Sequence, residues 1–151
     1  MKNKIKKNNK NEIFLSIQYS ESKYWAIFED NGISAWLYVT ESDSYNIISD
    51  CFVYNRINPI NPSEIKNFIN SSPPISKNYA TSFSKISNIN PDDIELLWNH
   101  NGSSICLKIN EIPYAFIIIG EKYGYSKSIS KDGPFGKKWN ETLFNKYHGK
   151  C

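Results

Sequence analysis

The fold is decided by the stretch Ile94-Glu-Leu-Leu-Trp-Asn-His-Asn-Gly-Ser-Ser-Ile-Cys-Leu-Lys-Ile109. Its Asn101-Gly102 pair is typical of the two-residue loop of a type I′ β-hairpin. That loop sets Glu95 opposite Lys108, an opposite-charge cross-strand pair. It also places apolar residues opposite one another on the other face: Trp98 and Ile105, Leu96 and Leu107, Ile94 and Ile109. The stretch therefore predicts two antiparallel strands with one apolar face.

A third strand is predicted to follow at once, through a tight turn at Asn110-Glu111. The register from that turn places Ile112, Tyr114 and Phe116 beside Ile109, Leu107 and Ile105, respectively. The apolar face would then extend across a three-stranded meander.

A second Asn-Gly pair, Asn31-Gly32, predicts another hairpin between residues 24–30 and 33–40. Its two-residue loop pairs Phe28 with Ala35, Ala26 with Leu37, and Tyr24 with Val39. The opposite face is not polar, because it carries Trp25, Ile27, Trp36 and Tyr38. Either a helix of the same domain covers that face or the face binds a partner.

A helix over residues 61–69 is the candidate cover. Asn61 can cap it, Pro62 suits its first position, and Glu64 completes a capping box. A second helix is predicted near the C-terminus, where Trp139, Leu143 and Tyr147 fall at i, i+4 and i+8.

Taken together, these patterns predict an α+β fold, a mostly antiparallel β-sheet of about six strands in a hairpin meander with one or two short helices. Residues 1–11 are predicted to be a disordered basic tail, and residues 12–151 a single domain. The chain has no apolar run of roughly 18 residues and no signal-peptide pattern. We therefore expect a cytoplasmic protein with no membrane contact.

Charge is unevenly distributed along the chain. Five lysines lie in the first ten residues, and removing them from the 18 basic residues leaves 13 against 15 acidic residues. Residues 11–56 contain two bases and seven acids: Glu12, Glu21, Glu29, Asp30, Glu41, Asp43 and Asp50. Residues 107–151 contain eight bases and four acids. One region is therefore suited to a basic partner and the other to an acidic one.

The sequence offers few groups for catalysis. His100 is expected at an exposed hairpin tip and His148 in a frayed C-terminus, so neither forms a metal or nucleophile motif. The odd number of cysteines, with no motif spacing, indicates buried free thiols at Cys51 and Cys106. The pair Glu29-Asp30 is expected to be solvated. We therefore predict a protein that is not an enzyme and has no catalytic residues, metal or cofactor.

Several short motifs carry a family resemblance. They are Phe28-Glu-Asp-Asn-Gly32 with Trp36-Leu-Tyr38, Trp98-Asn-His-Asn-Gly102, Ile109-Asn-Glu-Ile-Pro-Tyr-Ala-Phe116, Gly124-Tyr-Ser126 and Trp139-Asn-Glu141. Their order resembles a family of small bacterial domains of unassigned activity, and in general type the immunity proteins of contact-dependent inhibition and other polymorphic toxin systems. The resemblance implies a non-enzymatic protein that binds and neutralises a cognate toxin domain, and it carries over no catalytic residue.

A nuclease toxin presents a basic surface, so we expect the acidic region of this chain to bind it. The predicted partner-binding residues combine acids with aromatic anchors: Glu29, Asp30, Glu41, Asp43, Asp50, Trp25, Trp36 and Tyr38. The alternative is a nucleic-acid-binding protein that uses the lysine-rich tail and the basic C-terminal third. In that case the run Lys122-Tyr-Gly-Tyr-Ser-Lys127 would stack on bases.

Overall fold

The computed structural model describes residues 4–6, 12–19, 23–44, 46–68 and 71–149. Within them it has ten strands, two short 3-10 helices at Pro62–Phe68 and Pro91–Asp93, and one α-helix, α1, at Glu141–His148. The strands are β1 Lys4–Lys6, β2 Ile13–Gln18, β3 Tyr24–Asp30, β4 Ser34–Glu41, β5 Ile47–Asn55, β6 Ile94–Trp98, β7 Ser104–Ile109, β8 Ile112–Ile118, β9 Tyr125–Ser126 and β10 Lys137–Lys138.

The strands form two sheets of five. Sheet 1 has the order β1-β2-β3-β4-β5, and sheet 2 has the order β10-β9-β8-β7-β6. All neighbouring pairs are antiparallel except β9 and β10. The mostly antiparallel fold class is confirmed, with more strands than the predicted six because short strands extend both sheets. One of these, Lys4–Lys6, lies in the predicted tail, whose other residues lie outside the described ones.

The main core lies between the two sheets. Sheet 1 contributes Leu15, Phe28 and Leu37, and sheet 2 contributes Leu107 and Ile117, all fully buried. These side chains alternate with outward-facing ones along each strand, as expected for strands with one buried face. The side of sheet 1 turned away from this core is called the outer face below.

The two sheets are also joined along β5. The Asp50 N–H donates to the Lys122 carbonyl at 3.2 Å, and the Gly124 N–H donates to the Asp50 carbonyl at 2.8 Å. Gly124 makes this approach feasible, because a Cβ there would lie 2.8 Å from the Cβ of Cys51. The segment before β9 therefore runs alongside β5 as an additional partner.

The predicted register of β6 and β7 is confirmed, including Trp98 opposite Ile105 and Glu95 opposite Lys108. The predicted type I′ loop is wrong, because Gly102 has a positive φ of 73° but Asn101 does not. The loop instead spans residues 100–103. The Asn99 side chain closes it, since its Oδ1 accepts from the N–H groups of Ser103 and Ser104.

Asn110 and Glu111 form the predicted tight turn, with φ values of 52° and 67° as a type I′ turn requires. Beyond the turn, a register shift between Leu107 and Lys108 changes the pairing. Leu107 lies opposite Ala115 rather than Tyr114, and Ile105 opposite Ile117 rather than Phe116. The bulge therefore turns Phe116 to the other face of sheet 2, because a one-residue shift exchanges the two faces of a strand.

The first hairpin is also shifted from its predicted register. Phe28 lies opposite Leu37 rather than Ala35, and the Asn31 N–H donates to the Ser34 carbonyl at 3.1 Å. The loop is thus Gly32-Ile33 rather than Asn31-Gly32. Because the shift is two residues, each side chain stays on its predicted face.

The C-terminal helix covers the side of sheet 2 that faces away from the main core. Asn140 caps it by accepting a hydrogen bond from the Leu143 N–H at 3.0 Å. Phe144 is buried against Phe116, at a ring distance of 5.6 Å. The predicted helix is present but begins at Glu141, so Trp139 precedes it. Its packing corrects the frayed position expected for His148, whose ring stacks on Phe144 at 5.2 Å.

The folded state is expected to lose stability on acidification through His148. Burial, with a smaller contribution from Lys108, lowers its pKa from 6.5 to about 4. The neutral ring therefore stabilises the fold above pH 6.5, and this contribution is lost as the pH falls from 6.5 to 4. We expect this contribution to the free energy of unfolding to be about 1–2 kcal/mol. The value is reduced for solvent screening, because the ring is partly exposed.

Urea unfolding of the wild type and of His148→Gln between pH 7.5 and 4.5 measures this effect. The wild type should lose more stability than the variant over that range. Equal losses would contradict a depressed pKa at His148.

Candidate protein-binding face

The outer face of sheet 1 is built from three rows of side chains across β2, β3 and β4. Trp25 lies between Gln18 and Thr40, and Ile27 lies between Ser16 and Tyr38. In the third row Glu29 lies between Phe14 and Trp36. The structure thus places Trp25, Ile27, Trp36 and Tyr38 on one face, as the alternation predicts.

One half of the outer face is covered by the chain itself. Trp36 is only 5% exposed, and its indole Nε1 donates to the Pro73 carbonyl at 3.0 Å. It packs with Phe52, Ile75 and Phe135 in a second apolar cluster. Trp36, predicted as an anchor for a partner, is therefore an interior residue of this fold.

The cover differs from the helix expected from the sequence. Residues 62–68 form a 3-10 helix, in which the Asn61 N–H donates to Glu64 Oε1 as in the predicted capping box. Only Ile65 of this helix packs against the Trp36 cluster, whereas Ile75 and Phe135 lie within it. The segments that follow the helix and precede β10 therefore supply most of the cover. The predicted helical residue Ile69 lies outside the described residues.

Tyr38 lies at the margin of the covered half. Its hydroxyl is 2.6 Å from Ser72 Oγ, and its ring stacks near that of Trp36, with centroids 6.4 Å apart. Burial raises the pKa of its phenol, with smaller contributions from Glu29 and Asp50. Its ring is still partly exposed.

The other half of the outer face is more open. Phe14, Trp25 and Ile27 are all partly exposed, although they lie on the inner strands of sheet 1. Side chains of this kind on a water-facing surface are typical of a binding site when they are contiguous. This is the apolar part of the candidate face.

Asp30, predicted to be solvated and to contact a partner, is fully buried. Its Oδ2 is 2.7 Å from Arg56 Nε and accepts from the Tyr54 hydroxyl at 2.5 Å. Its Oδ1 accepts from the Gly32 N–H at 2.8 Å. Asp30 is therefore a structural residue that holds the end of the β3–β4 hairpin, because its alternation places it on the core side of β3.

The remaining predicted acids lie at the two ends of the hairpin and on β5, and Glu41, opposite Tyr24, is on the core-side register of β4. Glu29 is exposed near one end of β3, and Glu41 and Asp43 lie at the opposite end of the hairpin. Glu41 accepts a hydrogen bond from Ser44 Oγ at 3.3 Å. Asp50 lies opposite Tyr38, between those two ends. The acids are therefore spread along the hairpin and β5 rather than gathered in one compact patch.

Asp50 has an unusual environment. Its Oδ1 is buried, and no described residue donates a hydrogen bond to it. Burial raises the pKa of this carboxyl, and the positive charge of Lys122 opposes the rise. The hydroxyl of Thr40, 3% exposed, likewise has no hydrogen-bond partner among the described residues.

The basic C-terminal third pairs its lysines with its own aromatic rings. The distances from ammonium to ring centroid range from 4.7 Å for Lys127 over Trp139 to 5.6 Å for Lys146 over Tyr147. Tyr125 has Lys137 at 5.2 Å and is stacked on Phe116 at 4.7 Å. Its ring is therefore occupied by intramolecular contacts rather than open to a base.

No group of three or more potential ligands in the described part of the chain could hold a metal ion. His148 Nε2 is 2.9 Å from Ser104 Oγ, which donates to the Ile117 carbonyl and is fully buried. This serine–histidine contact links α1 to sheet 2. His100 is exposed within the loop of residues 100–103, as expected for a hairpin tip.

Sequence reasoning missed the buried Asp30 network and the unpartnered atoms of Thr40 and Asp50. Alternation from Phe28 to Asp30 was a usable signal, since it placed Asp30 on the apolar side of β3. No sequence pattern indicated the unpaired atoms of Thr40 and Asp50, because their burial depends on the position of the distant segment around Lys122.

Three comparisons were made with known proteins. No family model, no curated protein and no solved structure matches the chain. The described residues contain no helix that is both long and apolar enough to cross a membrane. The face is therefore interpreted from its own chemistry.

Proposed function

We propose that this chain is a non-enzymatic immunity protein that binds and neutralises a cognate bacterial toxin domain with a basic surface, such as a nuclease. The observation that carries the proposal is the open half of the outer face, where Phe14, Trp25 and Ile27 are partly exposed on inner strands. Carboxylates border this apolar area at both ends of the hairpin.

The composition of the face supports a protein partner. Partly buried aromatic residues are common energetic centres of interfaces, and surrounding charges steer the encounter. Trp25 is the best candidate anchor, because Trp36 is already held inside the fold. Glu29, Glu41 and Asp43 would steer a basic surface toward it.

The alternative is binding of nucleic acid by the lysine-rich tail and the basic C-terminal third. The observation that favours it is the set of lysine–aromatic pairs around β9 and α1. The occupied faces of Tyr125 weigh against stacking on bases at that residue. The alternative therefore ranks second.

The test uses the toxin domain recovered with this protein by affinity purification from its source cells, and it measures association and dissociation at several salt concentrations. Glu29→Lys/Glu41→Lys/Asp43→Lys should slow association about 10-fold at low salt and flatten its salt dependence. Trp25→Ala should speed dissociation about 10-fold or more. Asp30 is left unchanged, because reversal of a buried charge would unfold the protein.

Glu111→Lys is the matched control, an exposed acid on the turn between β7 and β8. It should bind as the wild type does, and all variants should melt cooperatively. Unchanged binding by the folded triple variant and by Trp25→Ala would rule out this face. Sub-micromolar binding of RNA or DNA by a protein lacking residues 1–10 would instead favour the alternative.

A further inference from the structure

A small cavity lies at the end of the outer face where β2 begins and β3 ends. Its volume is about 80 Å³, and it is lined by residues of these two strands and their ends: Glu12, Ile13, Phe14, Glu29, Asp30 and Asn31. One water needs only about 10–15 Å³ of such space, so the cavity has room for a head group of several heavy atoms. It adjoins the open half of the outer face, because Phe14 belongs to both.

The pairing of β2 with β3 determines which side chains surround the opening. Phe14 lies opposite Glu29, which brings their Cβ atoms to about 4.5–5.5 Å from each other. Ile13 and Asp30 are also opposite each other, but their side chains are buried on the core side. Because successive residues face opposite sides, Glu12 lies on the same side as Phe14. An aromatic ring and two glutamates therefore border the cavity.

The two glutamates give the cavity a negative charge that no described side chain neutralises. Of the two ion pairs among the described residues, one joins Asp30 to Arg56 and the other involves β10. Glu12 is partly exposed and Glu29 is exposed, so solvent and a partner can reach both residues. A cavity of this charge is complementary to a cationic group.

We propose that this cavity receives an arginine side chain of the partner. The inference rests on the proposed function and names the group that a basic toxin surface places beside the apolar area. A guanidinium carries five N–H donors in a rigid planar fork, which suits two carboxylates at once. Its plane also packs on an aromatic face, which the partly exposed ring of Phe14 offers.

Lysine is the less suitable occupant. Its ammonium is compact and strongly hydrated, and it has no plane that could lie on a ring. Arginine should therefore bind more tightly than lysine, and this preference should depend on the ring of Phe14. Citrulline has nearly the shape of arginine without its charge, so it should not bind.

The direct test needs no toxin. Acetyl-arginine-amide is titrated into the full chain, and backbone amide NMR signals are followed, with the lysine and citrulline amides as comparison ligands. Arginine should shift the signals of Phe14, Glu29 and Asn31 with a millimolar Kd. Lysine should bind about 3-fold more weakly, and citrulline should cause no saturable shift.

Two variants separate charge from stacking. Glu12→Gln should weaken arginine and lysine alike, because it removes one carboxylate. Phe14→Leu should abolish the preference for arginine while both ligands still bind. Glu111→Gln changes an exposed acid on the turn between β7 and β8, and this matched control should bind arginine as the wild type does. Equal binding of arginine and citrulline, no saturable shift with arginine, or no effect of Glu12→Gln would overturn the assignment.

Toxin binding distinguishes this inference from the proposed function. Glu12 is not altered in the triple charge reversal, so Glu12→Gln tests the cavity separately. This variant should speed dissociation of the toxin about 5-fold, because it removes a carboxylate that contacts a seated arginine. Unchanged toxin binding by Glu12→Gln would refute only the arginine site. Arginine binding in the cavity without any toxin binding would refute only the proposed function.

Discussion

Asp30→Ala is expected to destabilise the protein by about 3–5 kcal/mol, since removing one member of a buried ion pair is strongly destabilising. Asp30 accepts hydrogen bonds from Arg56, Tyr54 and the Gly32 backbone at one point. The substitution would leave the Tyr54 hydroxyl buried without its acceptor. It would also release the loop that joins β3 to β4.

Glu29→Ala is a matched control for this prediction. The residue is the neighbour of Asp30 on the same strand but is exposed, so its change should stay within about 0.5 kcal/mol. Chemical unfolding of both variants measures the difference. Similar values for the two substitutions would show that the Asp30 network does not stabilise the fold.

Phe116→Ala is expected to cost about 3–5 kcal/mol, because it removes the ring at the centre of the cluster beneath α1. Phe116 is fully buried and stacks on Tyr125 at 4.7 Å. It meets the rings of Trp139 and Phe144 edge-on, at 5.2 and 5.6 Å. The cavity would lie between sheet 2 and the helix, so α1 should loosen first.

Amide hydrogen exchange together with urea unfolding tests this prediction. Exchange in α1 should rise more than exchange in β3 and β4. Phe83→Ala is the control, because Phe83 is 55% exposed and should change stability by less than about 1 kcal/mol. A loss of protection that is uniform across both sheets would place Phe116 in the main core instead.

The fold could be predicted from the sequence largely where local chemistry decides it. Alternation of apolar residues correctly assigned the faces of β3, β4, β6 and β7. The tight turn at Asn110-Glu111 was also correct. These features depend on residues close in the sequence, so contacts with distant segments are not needed to specify them.

The errors arose where side chains compete with the backbone or where distant segments meet. Asn99 and Asn31 bond loop N–H groups through their side chains, which lengthens one loop and displaces the other. The bulge before Lys108 turned Phe116 to the side of sheet 2 that α1 covers. The local sequence did not indicate that this side would be buried.

The candidate site was predicted in part. Strand periodicity located Trp25 and Tyr38 on one face, and charge counting found the acids, Asp50 among them. The sequence could not show that residues 72–76 cover Trp36 or that Arg56 engages Asp30. The first depends on a segment that returns to the hairpin after the 3-10 helix, and the second on the register that places the end of β5 beside the hairpin loop.

The segment beside β5 also bears on self-association. Open strand edges invite pairing with other molecules and so promote aggregation. Here backbone groups of Lys122 and Gly124 bond to β5, and the Phe52 N–H donates to the Phe135 carbonyl at 2.9 Å. This edge of sheet 1 is thereby capped by the chain's own backbone, which protects it from recruiting a strand of a second copy during folding or at high concentration.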